Sequence, residues 1–115
     1  MTFDDVRPLA LALPGVAEGS SYGAPAFRVN GRVLACQPAN PRLREGTLVL
    51  FDVEPDEREA LVAGDPDVFF FTDHYRDYPA VLVRLQAVTP ERLRPYLERS
   101  WRLRAPRRRV RAREG

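Results

Sequence analysis

The side chains best suited to chemistry lie in residues 72–79, called here the aromatic segment because tyrosines and polar residues are mixed in it. It contains the single histidine of the chain, His74, with Asp73 and Asp77 close by in sequence. Neighbouring carboxylates can tune the protonation of an imidazole near neutral pH. The alternative is a loop histidine held by hydrogen bonds to the backbone. We therefore treat His74 as a candidate binding residue.

The catalytic patterns that use these residue types are incomplete. Cys36 ends a predicted strand of apolar neighbours, where a free thiol packs as a small hydrophobe, and no second histidine is available to pair with it. Ser20 or Ser21 with Asp73 and His74 would supply the residue types of a hydrolase triad, but an adjacent Asp and His cannot easily hold its geometry. One Cys and one His are too few for a structural zinc site. We expect a protein with no catalytic residues, metal or organic cofactor.

Aromatic side chains from two segments predict a shared pocket. The six candidates are Tyr22, Pro25, Phe27, His74, Tyr75 and Tyr78. Such side chains line pockets for small aromatic ligands, and they also stack on the bases of nucleic acids. The alternative is that they close the edge of the core of a small domain.

The 18 basic residues are all arginine, and their distribution is uneven. Residues 102–115 hold seven arginines and one glutamate, a net charge of +6, whereas residues 1–101 have a net charge of −4. A basic block of this kind is either a solvated tail or an arm that contacts nucleic-acid phosphates. The predicted phosphate-binding residues lie in this block and near an Asn-Gly turn: Arg28, Arg32, Arg102, Arg104, Arg107, Arg108, Arg109 and Arg111.

Local patterns predict the elements that position these residues. Apolar residues at helical spacing and helix-capping signals indicate helices over 3–13, 54–63 and 90–104. Apolar runs indicate five strands, at 26–29, 32–36, 47–51, 68–71 and 80–88. Asn30-Gly31 predicts a type I′ turn between the first two strands, and residues 15–25 are predicted to form a loop.

The element order α-β-β-β-α-β-β-α predicts an α+β fold, a two-layer domain with a mostly antiparallel five-stranded sheet and helices on one face. We expect a single domain over residues 1–108 and a poorly ordered basic tail over residues 109–115. The predicted core consists of Phe27, Val49, Phe51, Val81, Val83, Leu97 and Trp101.

Four short motifs occur in the order and spacing of a known family. They are Leu13-Pro14-Gly15-Val16, then residues 21–27, then Asp73-His74-Tyr75 with residues 78–83, and finally Ser100-Trp101-Arg102 before residues 105–108. Together they resemble the MmcQ/YjbR-like proteins of bacteria. The resemblance implies a two-layer α/β fold and a DNA-binding role of the double-wing type.

The sequence also bears on location and partners. Its longest apolar runs are far shorter than the roughly 20 residues that a membrane crossing needs, and the acidic first residues lack a secretory signal. We expect a cytoplasmic bacterial protein without a membrane partner. The expected function is non-enzymatic DNA binding through phosphate contacts. The alternative is a protein that binds or sequesters a small aromatic ligand around Tyr22, His74, Tyr75 and Tyr78.

Overall fold

A six-stranded antiparallel sheet forms the centre of the computed structural model, which describes residues 1–114. The strands are β1 (Ala17–Ser21), β2 (Ala24–Val29), β3 (Arg32–Cys36), β4 (Thr47–Phe51), β5 (Phe69–Phe70) and β6 (Ala80–Arg84). They lie in the order β1-β2-β3-β4-β6-β5, and every neighbouring pair is antiparallel. The predicted α+β class with a mostly antiparallel sheet is confirmed.

The sheet has one strand more than the five predicted. Within the predicted loop 15–25, residues 17–21 form the edge strand β1 and pair with β2 along their whole length. This strand is largely exposed and therefore lacks the alternation of apolar residues by which strands are recognised. Its pairing follows from the Tyr22-Gly23 turn, where both residues have positive φ angles of 51° and 78°, as a type I′ hairpin requires.

The helices are α1 (Phe3–Leu11), α2 (Pro41–Arg44), α3 (Pro55–Gly64), α4 (Pro90–Arg104) and α5 (Arg107–Glu114), with 3₁₀ turns at Asp73–Tyr75 and Leu85–Ala87. The three predicted helices are present with ends shifted by two residues at most. Thr2 and Thr89 cap α1 and α4 by accepting hydrogen bonds from backbone N–H groups. Helix α4 continues through Pro95. Across residues 1–114, no helix combines the length and the apolar character that crossing a bilayer requires.

Helices α1 and α4 cover one face of the sheet, called here the helix face. The fully buried side chains of this layer include Val6, Phe27, Leu34, Leu48, Leu50, Leu93, Leu97 and Trp101. Trp101 has no exposed surface, and its Nε1 donates a hydrogen bond to the carbonyl of Pro14 at 2.8 Å. Of the predicted core residues, Phe51 is only half-buried, whereas the others are buried.

The opposite face of the sheet, called here the pocket face, is covered by irregular chain. A smaller apolar cluster lies there, formed by Ala26, Cys36, Val49, Tyr75, Ala80 and Leu82. Leu43 of α2 and the 3₁₀ turn at Asp73–Tyr75 lie over this cluster. Because the cover is short and irregular, this face keeps an opening next to the aromatic segment.

The arginine-rich C-terminus is helical rather than poorly ordered. Arg113 of α5 donates two hydrogen bonds to the carboxylate of Glu98 in α4, at 2.7 and 2.8 Å. Val110 packs against the helix-face core. The boundary predicted after residue 108 therefore falls inside α5, and the expected disorder of residues 109–114 is corrected.

Replacing Trp101 with alanine is expected to lower the free energy of unfolding by about 3–5 kcal/mol, because it leaves a large cavity in the core. Trp101→Phe keeps most of the buried ring and removes the hydrogen bond to Pro14, so its expected loss is smaller, about 1–2 kcal/mol. Urea denaturation followed by circular dichroism measures both. An unfolding free energy unchanged by Trp101→Ala would contradict the burial of this side chain.

Candidate functional site

One buried side chain, Arg58 of α3, holds the aromatic segment in place. Its guanidinium donates hydrogen bonds to four backbone carbonyls, those of Tyr75 (3.0 Å), Arg76 (2.9 Å), Tyr78 (3.0 Å) and Ala80 (3.2 Å). These carbonyls lie in or next to an irregular loop, where the only other backbone donors found to the Tyr75 and Tyr78 carbonyls are the N–H groups of Tyr78 (3.1 Å) and Ala80 (2.8 Å). The arginine therefore fixes the path of the backbone that carries the site.

The charge of Arg58 is buried without a carboxylate. The residue is 6% exposed, and none of the ion pairs within residues 1–114 includes it. Its guanidinium carbon lies 4.4 Å from the centre of the Phe71 ring, within the range of a cation–π contact. Carbonyl dipoles and an aromatic face thus offset the cost of burying the charge.

Tyr75 ties the aromatic segment to the chain that follows β3. Its side chain is buried, and its hydroxyl oxygen accepts a hydrogen bond from the backbone N–H of Ala39 at 3.2 Å. Burial raises the pKa of the Tyr75 phenol because the phenolate would lose its water, and the Ala39 donor opposes this change. Tyr75 is therefore a neutral, fixed wall of the site.

His74 lies against two tyrosine rings. The centres of the His74 and Tyr75 rings are 4.7 Å apart in an edge-to-face arrangement, with 77° between the planes. The His74 and Tyr78 rings are 6.2 Å apart and nearly parallel, at 21°. Within residues 1–114 the imidazole of His74 has no hydrogen-bond partner, and the residue is exposed. Its ring nitrogens are therefore free to meet a ligand.

A cavity of about 180 Å³ opens on the pocket face beside these rings. Four of the six predicted pocket residues line it, namely Tyr22, His74, Tyr75 and Tyr78. The sheet side of the cavity is formed by Val33, Cys36 and Phe51. We call this cavity the aromatic pocket.

A bulge in β3 brings Val33 and Cys36 to the same wall. The register of β2 with β3 pairs Phe27 with Ala35 and Arg28 with Val33, so that Leu34 is an extra residue. Leu34 and Ala35 both face the helix side, whereas strict alternation would send residues 33 and 36 to opposite faces. The bulge therefore widens the wall of the pocket.

Tyr22 forms the exposed rim of the pocket. Its side chain is 91% exposed, and its backbone has a φ angle of 51°. A bulky residue seldom adopts this left-handed conformation, and hairpin turns of this type favour Asn, Asp or Gly. Strained residues of this kind cluster at binding sites, so the position of Tyr22 points to a role for its ring beyond folding.

The chain is similar to a known protein family and to curated bacterial relatives. The YjbR family model matches residues 11–103, which contain all six strands and most of α4. The chain belongs to the YjbR family. The uncharacterized proteins Rv2570 of Mycobacterium tuberculosis and Mb2600 of Mycobacterium bovis are each 30% identical to it over 124 residues, covering 96% of this chain and 94% of each relative.

A solved structure supports the fold of this YjbR-family chain. The crystal structure of Deinococcus radiodurans protein DR2400, with the family-model domain DUF419, matches it with a TM-score of 0.69. The sequence identity is 24%, and the match covers 89% of this chain and 77% of that chain. The predicted membership in the MmcQ/YjbR-like family is confirmed by these findings.

Two predicted pocket residues of the YjbR-family chain lie outside the aromatic pocket. Phe27 is fully buried on the helix face, where its ring stacks on Phe3 at 5.2 Å. The alternation of β2 sends the side chain of Ala26 to the pocket face and that of Phe27 to the other face. Pro25 is half-buried and lines a different depression, next to Phe3 and Gln37.

Cys36 lines the pocket but is not an activated nucleophile. The thiol is buried, and burial raises its pKa to about 11. A thiolate is the reactive form of cysteine, and a thiol with this pKa is almost entirely protonated at neutral pH. Within residues 1–114 no three His, Cys, Asp or Glu side chains are grouped closely enough to hold a metal ion.

Arg104 is a structural residue rather than a phosphate contact. It is buried, pairs with Asp52, and donates hydrogen bonds to the carbonyls of Val33 (2.8 Å) and Ser100 (3.3 Å). These bonds fasten the end of α4 to β3 and leave Arg104 no access to a large anion. The inclusion of Arg104 among the phosphate-binding residues is therefore corrected.

The other arginines predicted to contact phosphates differ in whether they already have partners within the protein. Arg102 pairs with Glu98 and Glu114, and Arg28 donates to two backbone carbonyls. Five of these predicted contacts are exposed and take part in no ion pair within the described chain: Arg32, Arg107, Arg108, Arg109 and Arg111. The Asn30-Gly31 turn lies at the C-terminal end of α4, because the Asn30 side chain donates to the carbonyl of Arg104 at 3.2 Å.

Sequence reasoning missed Arg58, the residue that orders the site. It lies in a helix with acidic residues on either side, at Glu57 and Glu59, a pattern typical of a solvated helix face. The only local signal is the preceding Pro55 with its acidic first turn, which predicts the start of α3 but not the direction of the side chain.

Arg58→Met is expected to lower the free energy of unfolding by at least about 3 kcal/mol, because it removes a charged donor that four carbonyls share. Amide hydrogen exchange should rise in residues 75–80 more than in the rest of the chain. Arg84→Met is the matched control, since Arg84 also lies over an aromatic ring, that of Phe70 at 4.1 Å, but is exposed and donates to one carbonyl. Its effect should stay within about 1 kcal/mol. Equal effects of the two substitutions in urea denaturation would contradict the role of Arg58.

Proposed function

We propose that this YjbR-family protein is a non-enzymatic binding protein whose aromatic pocket holds a small aromatic molecule. The observation that supports this most is the convergence of residues from distant parts of the chain on one cavity. Tyr22 comes from the β1-β2 turn, Cys36 from the sheet, and His74, Tyr75 and Tyr78 from the aromatic segment. A pocket that is mostly apolar and has a few polar groups is typical of small-molecule sites.

The size of the cavity favours a ligand with a single ring. An apolar cavity of about 150 Å³ binds benzene. The aromatic pocket, at about 180 Å³, is only slightly larger. A ring entering it would meet the exposed side chains of Tyr22 and Tyr78, which are 91% and 51% exposed without a ligand. Covering these rings removes apolar surface from water, and offset stacking adds about 0.5–1.5 kcal/mol per aromatic pair.

The chemistry of the pocket favours binding over catalysis. The Cys36 thiol is protonated because burial raises its pKa to about 11. The Tyr75 phenol is neutral, and its oxygen accepts a hydrogen bond from the backbone N–H of Ala39. His74 has no acidic or basic side chain hydrogen-bonded to it within residues 1–114, so the chain offers it no partner that would orient a proton transfer.

Phenol is the simplest probe of this function. We expect it to shift the NMR signals of residues around the pocket and to bind with an affinity that Tyr78→Leu weakens by about fivefold, the factor equivalent to one stacked pair. Tyr96→Leu is the control, because it makes the same change at a tyrosine that packs on Phe69 away from the pocket. If phenol at concentrations up to about 10 mM shifts no pocket signal, the proposal is wrong.

Nucleic-acid binding is the second candidate function, and the form of the C-terminus favours it. Arg107 and Arg111 lie four residues apart on α5, and Arg108 lies three before Arg111, so the three share one side of the helix. Like charges at this spacing destabilise a helix, and positive charges in its first turn oppose the helix dipole. A row of phosphates would neutralise both effects, and the adjacent hairpin adds Arg32.

A salt titration tests this second function. Fluorescence anisotropy of a labelled DNA duplex measures the binding constant at several salt concentrations. In a variant with Arg107, Arg108 and Arg111 changed to Gln, the slope of log K against log salt concentration should be smaller in magnitude by about 3 than in the wild-type protein. A variant with Arg42, Arg76 and Arg84 changed to Gln has the same net charge and should keep the wild-type slope. Absence of binding by the wild-type protein at about 50 mM salt, or equal weakening in both variants, would exclude DNA binding through α5.

A further inference from the structure

A positive charge without a carboxylate partner lies beside the aromatic pocket. Arg28 is the cross-strand partner of Val33, which lines the pocket, so the two side chains share the pocket face. Its guanidinium donates to the carbonyls of Ser20 (2.9 Å) and Gly31 (3.3 Å), and Ser20 directly precedes the pocket residue Ser21. None of the ion pairs within residues 1–114 includes Arg28.

The positive charge of Arg28 acts on the Cys36 thiol in the pocket wall. Cys36 forms part of the wall, and although burial raises the pKa of its thiol, the nearby positive charge of Arg28 acts in the opposite direction. Carbonyl partners orient a guanidinium but leave its net charge in place. Arg28 therefore adds a positive contribution to the potential on the β2 side of the pocket wall.

We infer that the aromatic pocket selects a single-ring aromatic molecule that carries an anionic group, with the ring against His74 and Tyr78 and the anion directed toward Arg28. This inference rests on the proposed function and names the class of its ligand. A guanidinium has five N–H donors in a planar fork, and Arg28 gives only two of its nitrogens to carbonyls. The remaining N–H groups suit a carboxylate or phosphate oxygen.

The acidic residue next to His74 is already paired with an arginine. Asp73 is adjacent to His74, but its carboxylate pairs with Arg76 at 2.5 Å. Tyrosine faces also attract cations, so an aromatic amine is the natural competitor of an aromatic acid. Arg28 repels such an amine and attracts the acid, and the two classes therefore give opposite expectations.

The experiment is a set of titrations of the full chain with four single-ring probes: benzoate, phenyl phosphate, benzyl alcohol and benzylamine. We expect benzoate or phenyl phosphate to bind at least about fivefold more tightly than benzyl alcohol, and benzylamine to bind most weakly. The comparison of benzoate with phenyl phosphate distinguishes the two anionic groups. Adding salt should weaken the two acids more than benzyl alcohol.

Variants of Arg28 identify the source of the preference. Arg28→Gln should abolish the advantage of the acids over benzyl alcohol. Arg28→Lys keeps the charge and should keep at least part of the advantage, which a purely structural role would not explain. Arg32→Gln removes the same charge from the neighbouring hairpin turn and should have no effect.

The outcomes separate this inference from the function on which it rests. If benzyl alcohol binds in the pocket as tightly as benzoate and phenyl phosphate, the ligand class is wrong while the proposed binding function stands. An acid preference that survives in Arg28→Gln would likewise overturn the role of Arg28. If none of the four probes binds, both the inference and the proposed function are overturned.

Discussion

The guanidinium of Arg58 determines where the aromatic segment can lie. Residues 72–79 contain a single 3₁₀ turn and no strand, so their backbone is held by a few turn hydrogen bonds and by side chains rather than by a strand ladder. One planar group on α3 supplies donors to four carbonyls of residues 75–80 at once. A lysine has three donors on one nitrogen and cannot span this arc of carbonyls. Because the same residues carry the rings of Tyr75 and Tyr78, the geometry of the pocket depends on a helix that does not line it.

The two faces of the sheet have different roles: the helix face stabilises the fold, and the pocket face carries the proposed binding site. Its helix face carries large side chains such as Phe27, Leu48 and Leu50 under two helices, and burial of these residues supplies most of the hydrophobic stabilisation. Its pocket face carries smaller residues under short irregular segments. The bulge at Leu34 shifts one wall position of the pocket without disturbing the helix side, where both Leu34 and Ala35 stay buried. The wall of the pocket can therefore change shape while the side chains packed between the sheet and the helices stay buried.

The sequence was sufficient where neighbours in the chain decide the geometry. The Asn30-Gly31 turn has the positive φ angles of 54° and 75° that its composition predicts, and Thr89 caps α4 as expected. The sequence was insufficient where the geometry depends on residues that are distant in the chain. Strand β1 has no apolar pattern of its own and exists because β2 pairs with it, and the run from Val33 to Cys36 is apolar throughout, so no alternation marks the bulge. Four pocket residues were predicted from composition, but Phe27 was misplaced because the facing of β2 depends on which side the helices cover.

Counting arginines overestimates the surface that can meet an anion, because the partner of each arginine decides its role. A carboxylate partner cancels the charge of an arginine, so that the pair only links two parts of the fold. Arg102 has such partners in Glu98 and Glu114, and Arg104 has one in Asp52. A carbonyl partner orients the guanidinium and leaves its charge. Arg58 and Arg28 both have carbonyl partners only, yet Arg58 is enclosed and Arg28 is half-exposed beside the pocket. The buried charge must be satisfied by the protein itself and so orders the backbone, whereas the accessible charge remains available to a ligand.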